Sequence, residues 1–265
     1  MRGNKNMMIR EFSADLLRVR IYDTRREMGE AAGADCAAML RKLLEEKETV
    51  NMIFAAAPSQ NEILAALCSA EGIDWSRVNA FHMDEYIGLS ADAPQGFGNF
   101  LRRAIFDKLP FRAVYYIQQD GMSDGELCER YTRLLKEHPV DIVCLGIGEN
   151  GHIAFNDPGV ADFSDPAMIK RVMLDEVCRH QQVNDGCFAA LEQVPRYALT
   201  LTVPALAAAG HLYCTVPSAT KADAVYKTVH DAVGEELPAT VMRRHPDAAL
   251  YCDRDSGAGL LKENA

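Results

Sequence analysis

Val140-Asp141-Ile142-Val143-Cys144-Leu145-Gly146-Ile147-Gly148-Glu149-Asn150-Gly151-His152-Ile153-Ala154-Phe155-Asn156-Asp157-Pro158 runs from an apolar stretch straight into a glycine-rich turn. The Val, Ile, Cys and Leu residues of 140–145 predict a strand buried on both faces, as in parallel sheets. Gly146, Gly148 and Gly151 then free the backbone for positive φ or for close approach of a ligand. A loop at the carboxyl end of a strand is where open α/β sheets bind ligands, so His152 is expected to face a crevice.

Working outward, strand and helix signals alternate. Residues 16–22 alternate apolar and basic, and 24–47 carry Ala, Met, Leu and Glu at helical spacing. A buried strand is expected at 50–57, followed by Ser59-Gln60-Asn61-Glu62 as a capping box opening a helix over 63–70. Residues 78–83 form a third strand that ends in the charged segment Asp84-Glu85-Tyr86, and 97–109 resume helical periodicity. Ser123-Asp124-Gly125-Glu126 repeats the capping-box pattern ahead of an amphipathic helix over 127–137. After the central turn, 159–195 lose clear periodicity; either a lid or one or two helices with an edge strand occupies them. Strands at 198–203, 211–216 and 248–253 and a helix at 221–233 complete the pattern. At least six strands alternating with helices predict a single α/β domain, its mostly parallel sheet covered by helices on both faces.

Composition narrows the partners. A net charge of −10 with no local Lys/Arg run argues against nucleic acid and anionic membranes and for a small molecule. The eight scattered cysteines, without a C-x-x-C pair, read as reduced and mostly buried thiols. The amino terminus lacks an apolar signal core and no segment has the uninterrupted apolar length of a membrane helix, so a cytoplasmic protein is expected.

Two clusters carry the chemistry. Asp84 and Glu85 lie where a buried strand meets a loop, a place where desolvation turns a carboxyl into a useful general base; a solvated turn or helix cap is the plainer alternative. His152 and Asp157 are close enough across the turn for the carboxylate to fix the imidazole tautomer, with Asn150 adding a neutral donor and acceptor. Neither HExxH nor a Cys/His cluster occurs, so no metal is expected from His82, Asp84, His152 and Asp157. G-I-G-E-N-G matches the dinucleotide pattern in letters only, since it follows the fifth β-α unit and runs into His-x-x-x-x-Asp; no cofactor is expected. There is no G-x-S-x-G nucleophile elbow.

Phe81-His82-Met83-Asp84-Glu85-Tyr86-Ile87-Gly88-Leu89, the turn 146–158 and Pro195-Arg196-Tyr197-Ala198-Leu199-Thr200 together resemble the glucosamine-6-phosphate deaminase family, over a span from about residue 50 to the end. The resemblance implies a Rossmann-like fold and conversion of an amino-sugar phosphate to a ketose phosphate plus ammonia. It implies that Asp84 is the base acting between C2 and C1 and that His152, oriented by Asp157, opens the pyranose ring, with Asn150 in support. Lys221 matches the lysine that meets the phosphate, and Gly151 and Ser59 are expected beside the substrate. The chain also departs from the family. Ala55-Ala56-Ala57-Pro58-Ser59-Gln60-Asn61-Glu62 replaces a threonine- and glycine-rich phosphate loop, and Gln182 stands at the position of a lid arginine, with Arg179 nearby. The shorter Asp157 replaces a glutamate and must approach His152 closely or through water. The resemblance leaves room for self-association into a homo-oligomer. Two alternatives are a 6-phosphogluconolactonase-type lactone hydrolase, whose Gly-His motif continues differently from Ala154-Phe155-Asn156-Asp157-Pro158, and a non-catalytic sugar-sensing module.

Overall fold

A computed structural model describes residues 8–263. The strands are β1 (Met8–Ala14), β2 (Leu17–Tyr22), β3 (Val50–Phe54), β4 (Val78–His82), β5 (Asp84–Tyr86), β6 (Ala113–Tyr115), β7 (Ile142–Leu145), β8 (Ile169–Met173), β9 (Tyr197–Leu201), β10 (His211–Val216) and β11 (Ala248–Cys252). The α-helices are α1 (Arg25–Glu46), α2 (Asn61–Cys68), α3 (Phe97–Leu101), α4 (Asp124–Glu137), α5 (Glu176–Asn184), α6 (Val203–Ala207), α7 (Ala222–His230) and α8 (Ala258–Lys262).

Eight strands form one sheet in the order β1-β2-β11-β10-β7-β3-β4-β6, parallel throughout except for the β1-β2 hairpin at its edge. Side chains alternate across it. Val143 and Leu145 face a core closed by α4, α7 and α8, while Ile142 and Cys144 face one closed by α1, α2 and α3. This is the parallel α/β architecture expected from the sequence. From β3 the chain steps outward to β4 and β6, then returns to place β7 on the other side of β3. The order therefore reverses between β3 and β7, which opens a crevice at their carboxyl ends.

Several expectations are corrected. β1, mostly exposed along its length, is a strand the residue pattern does not signal, because an edge strand lacks a clean apolar face. Asp84-Glu85-Tyr86 is strand rather than loop, and β9 leaves the parallel sheet: β5, β9 and β8 make a separate antiparallel sheet. Residues 159–195 hold β8, an edge strand of that small sheet, and α5, the second of the two arrangements expected for them. Ser59 does not cap a helix. Pro58 starts a 3-10 turn, Pro58–Gln60, that absorbs Ser59, and α2 begins with no side-chain cap. Glu62 turns to Arg25 instead, 2.8 Å away. The box at Ser123 forms as read, with the hydroxyl and Glu126 satisfying each other's backbone N–H groups. The helix expected over 97–109 is shorter, α3 passing into a π-turn at Arg102–Phe106.

Helix α1 crosses α2 without room for a β-carbon: one built on Gly29 would lie 2.1 Å from Glu62 Cβ, and one on Gly33 would lie 2.4 Å from Ala66 Cβ. Gly29→Ala and Gly33→Ala are each expected to lower the urea midpoint, since overpacking costs about 1–3 kcal/mol and the gain in helix propensity is about 1 kcal/mol. An unchanged or raised midpoint would show that the two helices separate freely.

Candidate active site

The crevice between β3 and β7 holds a cavity of about 290 Å³. Four carboxyl-end loops wall it. Ala55 to Ser59 follow β3, Met83 and Asp84 follow β4, Gly146 to Gly148 with His152 follow β7, and Pro217 to Lys221 follow β10. Helix α5 closes the remaining side with Gln181, Gln182, Asn184 and Asp185.

Asp84 stands where the chain leaves the large sheet for the small one. His82 fixes that corner: its Nε2 accepts the Ile117 N–H at 2.9 Å, so Nδ1 carries the proton and donates to the Asp84 carbonyl at 2.9 Å. Burial lowers the His82 pKa to about 4, and the ring stays neutral. Across the small sheet, Leu201 donates to the Met83 carbonyl at 2.7 Å. The Asp84 carboxyl, 7% exposed, is pushed well above the ordinary carboxylate range by desolvation and by the charge of Glu85. Its neighbour is spoken for, because Glu85 accepts the N–H groups of Tyr86, Phe97 and Gly98 at 2.8–3.0 Å and anchors α3. Of the two carboxylates only Asp84 lines the cavity.

The β7 turn is pinned by Asn156, whose amide donates to the Ile153 and Leu201 carbonyls at 2.9 and 2.8 Å. His152 Nδ1 lies 2.9 Å from Asp157 Oδ1 and 2.7 Å from Asn150 Oδ1. The shorter Asp157 therefore reaches the ring directly, without water. Both partners are acceptors there, so Nδ1 holds the proton and Nε2 is left to accept one. Burial pushes Asp157 up, but the hydrogen bond and charge of His152, with Asn150 and Cys178, outweigh it and hold the carboxyl below its ordinary value. The ring lies on Gly148, where a β-carbon would come within 2.2–2.4 Å of three ring atoms. His152, Asp157 and Cys178 each place a donor atom within 4.8 Å of the others. Burial drives the Cys178 thiol far up, so it stays protonated, and the other two bond each other; the cluster reads as a proton relay.

Lys221, 5% exposed, also lines the cavity, its ammonium without a hydrogen-bond partner among the described residues. Burial lowers its pKa against the opposing charges of Asp185 and Glu149, the latter 3.8 Å away. It is placed by Ser218, which holds φ at 88° while donating its N–H to Asp253 at 3.0 Å. Ser59 shares this wall, and so does Arg25, which bonds Glu62 and the Pro58 carbonyl.

Asp84, His152, Ser59, Lys221 and Gln182 thus line one cavity, while Asn150 and Asp157 stand behind His152. Gln182 is not free, because its Oε1 accepts from the Tyr86 hydroxyl at 2.8 Å. Two expected substrate contacts lie elsewhere. Gly151, at φ 85°, packs against Leu237, and Arg179 donates to the Leu191 and Val194 carbonyls at 2.7 and 3.0 Å, which turns its guanidinium into the 159–195 segment. Sequence reading missed Arg25, Gln181 and Asp185, whose contacts with the cavity are long-range and leave no local motif.

Residues 23–251 match the family described as glucosamine-6-phosphate isomerases/6-phosphogluconolactonase. The chain belongs to that family. It is 32% identical over 242 residues to the glucosamine-6-phosphate deaminase of Bacillus cereus (strain B4264), covering 91% of this chain and 88% of the relative. The same figures hold for the enzyme of that name from Bacillus thuringiensis (strain Al Hakam). Among solved structures, a monomeric glucosamine-6-phosphate deaminase described as a missing link of the NagB superfamily superposes with a TM-score of 0.81 at 25% identity, over 91% of this chain and 98% of that one. A 6-phosphogluconolactonase from Thermotoga maritima shares the fold, with a TM-score of 0.72 at 17% identity over 89% and 98% of the two chains. Among the described residues of this family member, no helix is long and apolar enough to cross a membrane.

Burial of Asp84 has a thermodynamic signature. Its folded-state pKa is raised, so the stability it contributes is complete below the unfolded-state value and is lost as pH rises through the folded-state value. Asp84→Asn has no such proton to lose. Its Tm is expected to exceed that of the wild type at mildly alkaline pH, with the gap narrowing as pH falls into the ordinary carboxylate range. A gap that widens on acidification would mean that the carboxylate is paired rather than desolvated.

Proposed function

We propose that the protein isomerises and deaminates an amino-sugar phosphate, glucosamine 6-phosphate or a close analogue, to the ketose phosphate and ammonia. The observation that carries this reading is a desolvated carboxyl and an oriented imidazole on the wall of one cavity, Asp84 and His152. His152 accepts the O1 proton at Nε2 and delivers a proton to O5, which opens the ring to the amino aldehyde. Asp84 then removes the proton from C2 while O1 takes one from solvent, giving an enolamine; Asp84 returns its proton to C1, and the iminium so formed gives a nitrogen proton back to solvent. The C2 imine so formed adds water and expels ammonia. Asp157 and Asn150 hold the imidazole tautomer throughout.

Lys221 receives the phosphate, helped by the Ser59 hydroxyl, in a role opposed by Asp185. Arg25 adds positive charge but remains tied to Glu62. Gln182 supplies no charge where the family resemblance led to an arginine.

Incubation with glucosamine 6-phosphate is expected to release ammonia and ketose phosphate in equal amounts. Hydrolysis of a sugar lactone with no ammonia from any amino-sugar phosphate would contradict the assignment. Lys221→Ala is expected to raise KM for the phosphorylated sugar about ten- to a hundredfold with little change in kcat, because a charge-assisted hydrogen bond contributes roughly 1.5–3 kcal/mol. An unchanged KM would give the phosphate to another cation.

A further inference from the structure

Helix α5 reaches the relay from behind. Asp175, its N-cap, accepts the Cys178 N–H at 2.6 Å through Oδ1 and the Asn150 amide at 3.4 Å through Oδ2. The same Asn150 amide donates to Asp157 Oδ1 at 3.0 Å, while its oxygen accepts the His152 backbone N–H at 3.1 Å and faces His152 Nδ1 at 2.7 Å. The orientation of Asn150 is therefore set on both sides, its nitrogen between two carboxylates and its oxygen toward two N–H groups. Turned over, the amide would set its NH2 against the donors of His152 and its oxygen against the carboxylates of Asp157 and Asp175. The helix also grips both catalytic segments: Gln181 accepts the Glu149 N–H at 2.8 Å, and Gln182 accepts from the Tyr86 hydroxyl.

We propose that Asp175 is a positioning residue for ring opening: from the start of α5 it holds Asn150, and through Asn150 the His152 imidazole, so that the relay is complete only when this helix is docked. The proposal rests on the ring-opening role assigned to His152 above. It explains a carboxylate placed behind an asparagine that a helix cap alone does not require, since Ser or Asn would cap α5 as well.

Asp175→Asn and Asp175→Ser keep a capping oxygen and remove the carboxylate. Both variants are expected to lower kcat on the pyranose form of the amino-sugar phosphate about tenfold, to leave KM within about twofold, and to spare an open-chain analogue. In an Asn150→Ala background, the Asp175 substitutions should lower kcat no further, because the pathway to His152 is already cut. Equal losses on pyranose and open-chain substrates, additive losses with Asn150→Ala, or no loss at all would overturn the proposal. Imidazole 15N shifts give a readout independent of turnover. His152 should stay protonated at Nδ1 in all three proteins, since Asp157 still accepts that proton, but in both variants its Nδ1–H should exchange faster with solvent and its 15N shift should move; an unchanged shift and exchange rate would also overturn it. Absence of ammonia release by the wild type would count against the proposed reaction and leave the imidazole shift and exchange measurement to decide the role of Asp175.

Discussion

A neutral imidazole holds the corner on which the site depends. His82 ties the end of β4 to Ile117 on one side and to the Asp84 carbonyl on the other, and Tyr131 of α4 donates to the His82 carbonyl at 2.8 Å. The chain changes sheets at that point, since β4 belongs to the parallel sheet and β5 to the antiparallel one. A carboxylate immediately past such a corner is carried into the interior by backbone geometry. Among the described residues, the causes acting on Asp84 are burial and a second carboxylate, both of which favour the protonated form. The fold thus accepts a locally unfavourable group, and the proposed role of Asp84 as a base of raised pKa would account for it.

The second cluster on the cavity wall is built differently. His152, Asn150 and Asp157 come from one turn, and their mutual distances are fixed largely by that turn's own backbone, with Gly148 leaving space for the ring. Longer-range interactions place the turn against β9 through Asn156 and against α5 through Gln181. The two elements meet because the strand order reverses between β3 and β7, which lets loops from four strands converge on one crevice.

This division explains what the sequence revealed. The relay was legible because its residues lie within eight positions and bond one another, and the parallel sheet was legible because β3, β4 and β7 are continuous buried runs. The small sheet was not, because β5 has three residues and pairs with β9 far along the chain, Asp84 with Thr200 and Tyr86 with Ala198. Ser59 misled because its hydroxyl precedes Glu62 at capping distance, while Pro58 had already begun a tighter turn. Arg179 misled for a related reason: position in a sequence does not show whether a guanidinium finds carbonyls nearer than the cavity, as it does at Leu191 and Val194. Lys221 was legible only through family resemblance; that its ammonium has no hydrogen-bond partner among the described residues became visible with the fold.

The central claim is that Asp84 moves a proton between adjacent carbons, and substrate deuterated at C2 tests it most directly. The account predicts that the wild type removes the label from C2, releasing it to solvent or returning it to C1 of the ketose, and that Asp84→Asn leaves the label at C2 even after the ring has opened. Label leaving C2 at an undiminished rate in Asp84→Asn would contradict the account.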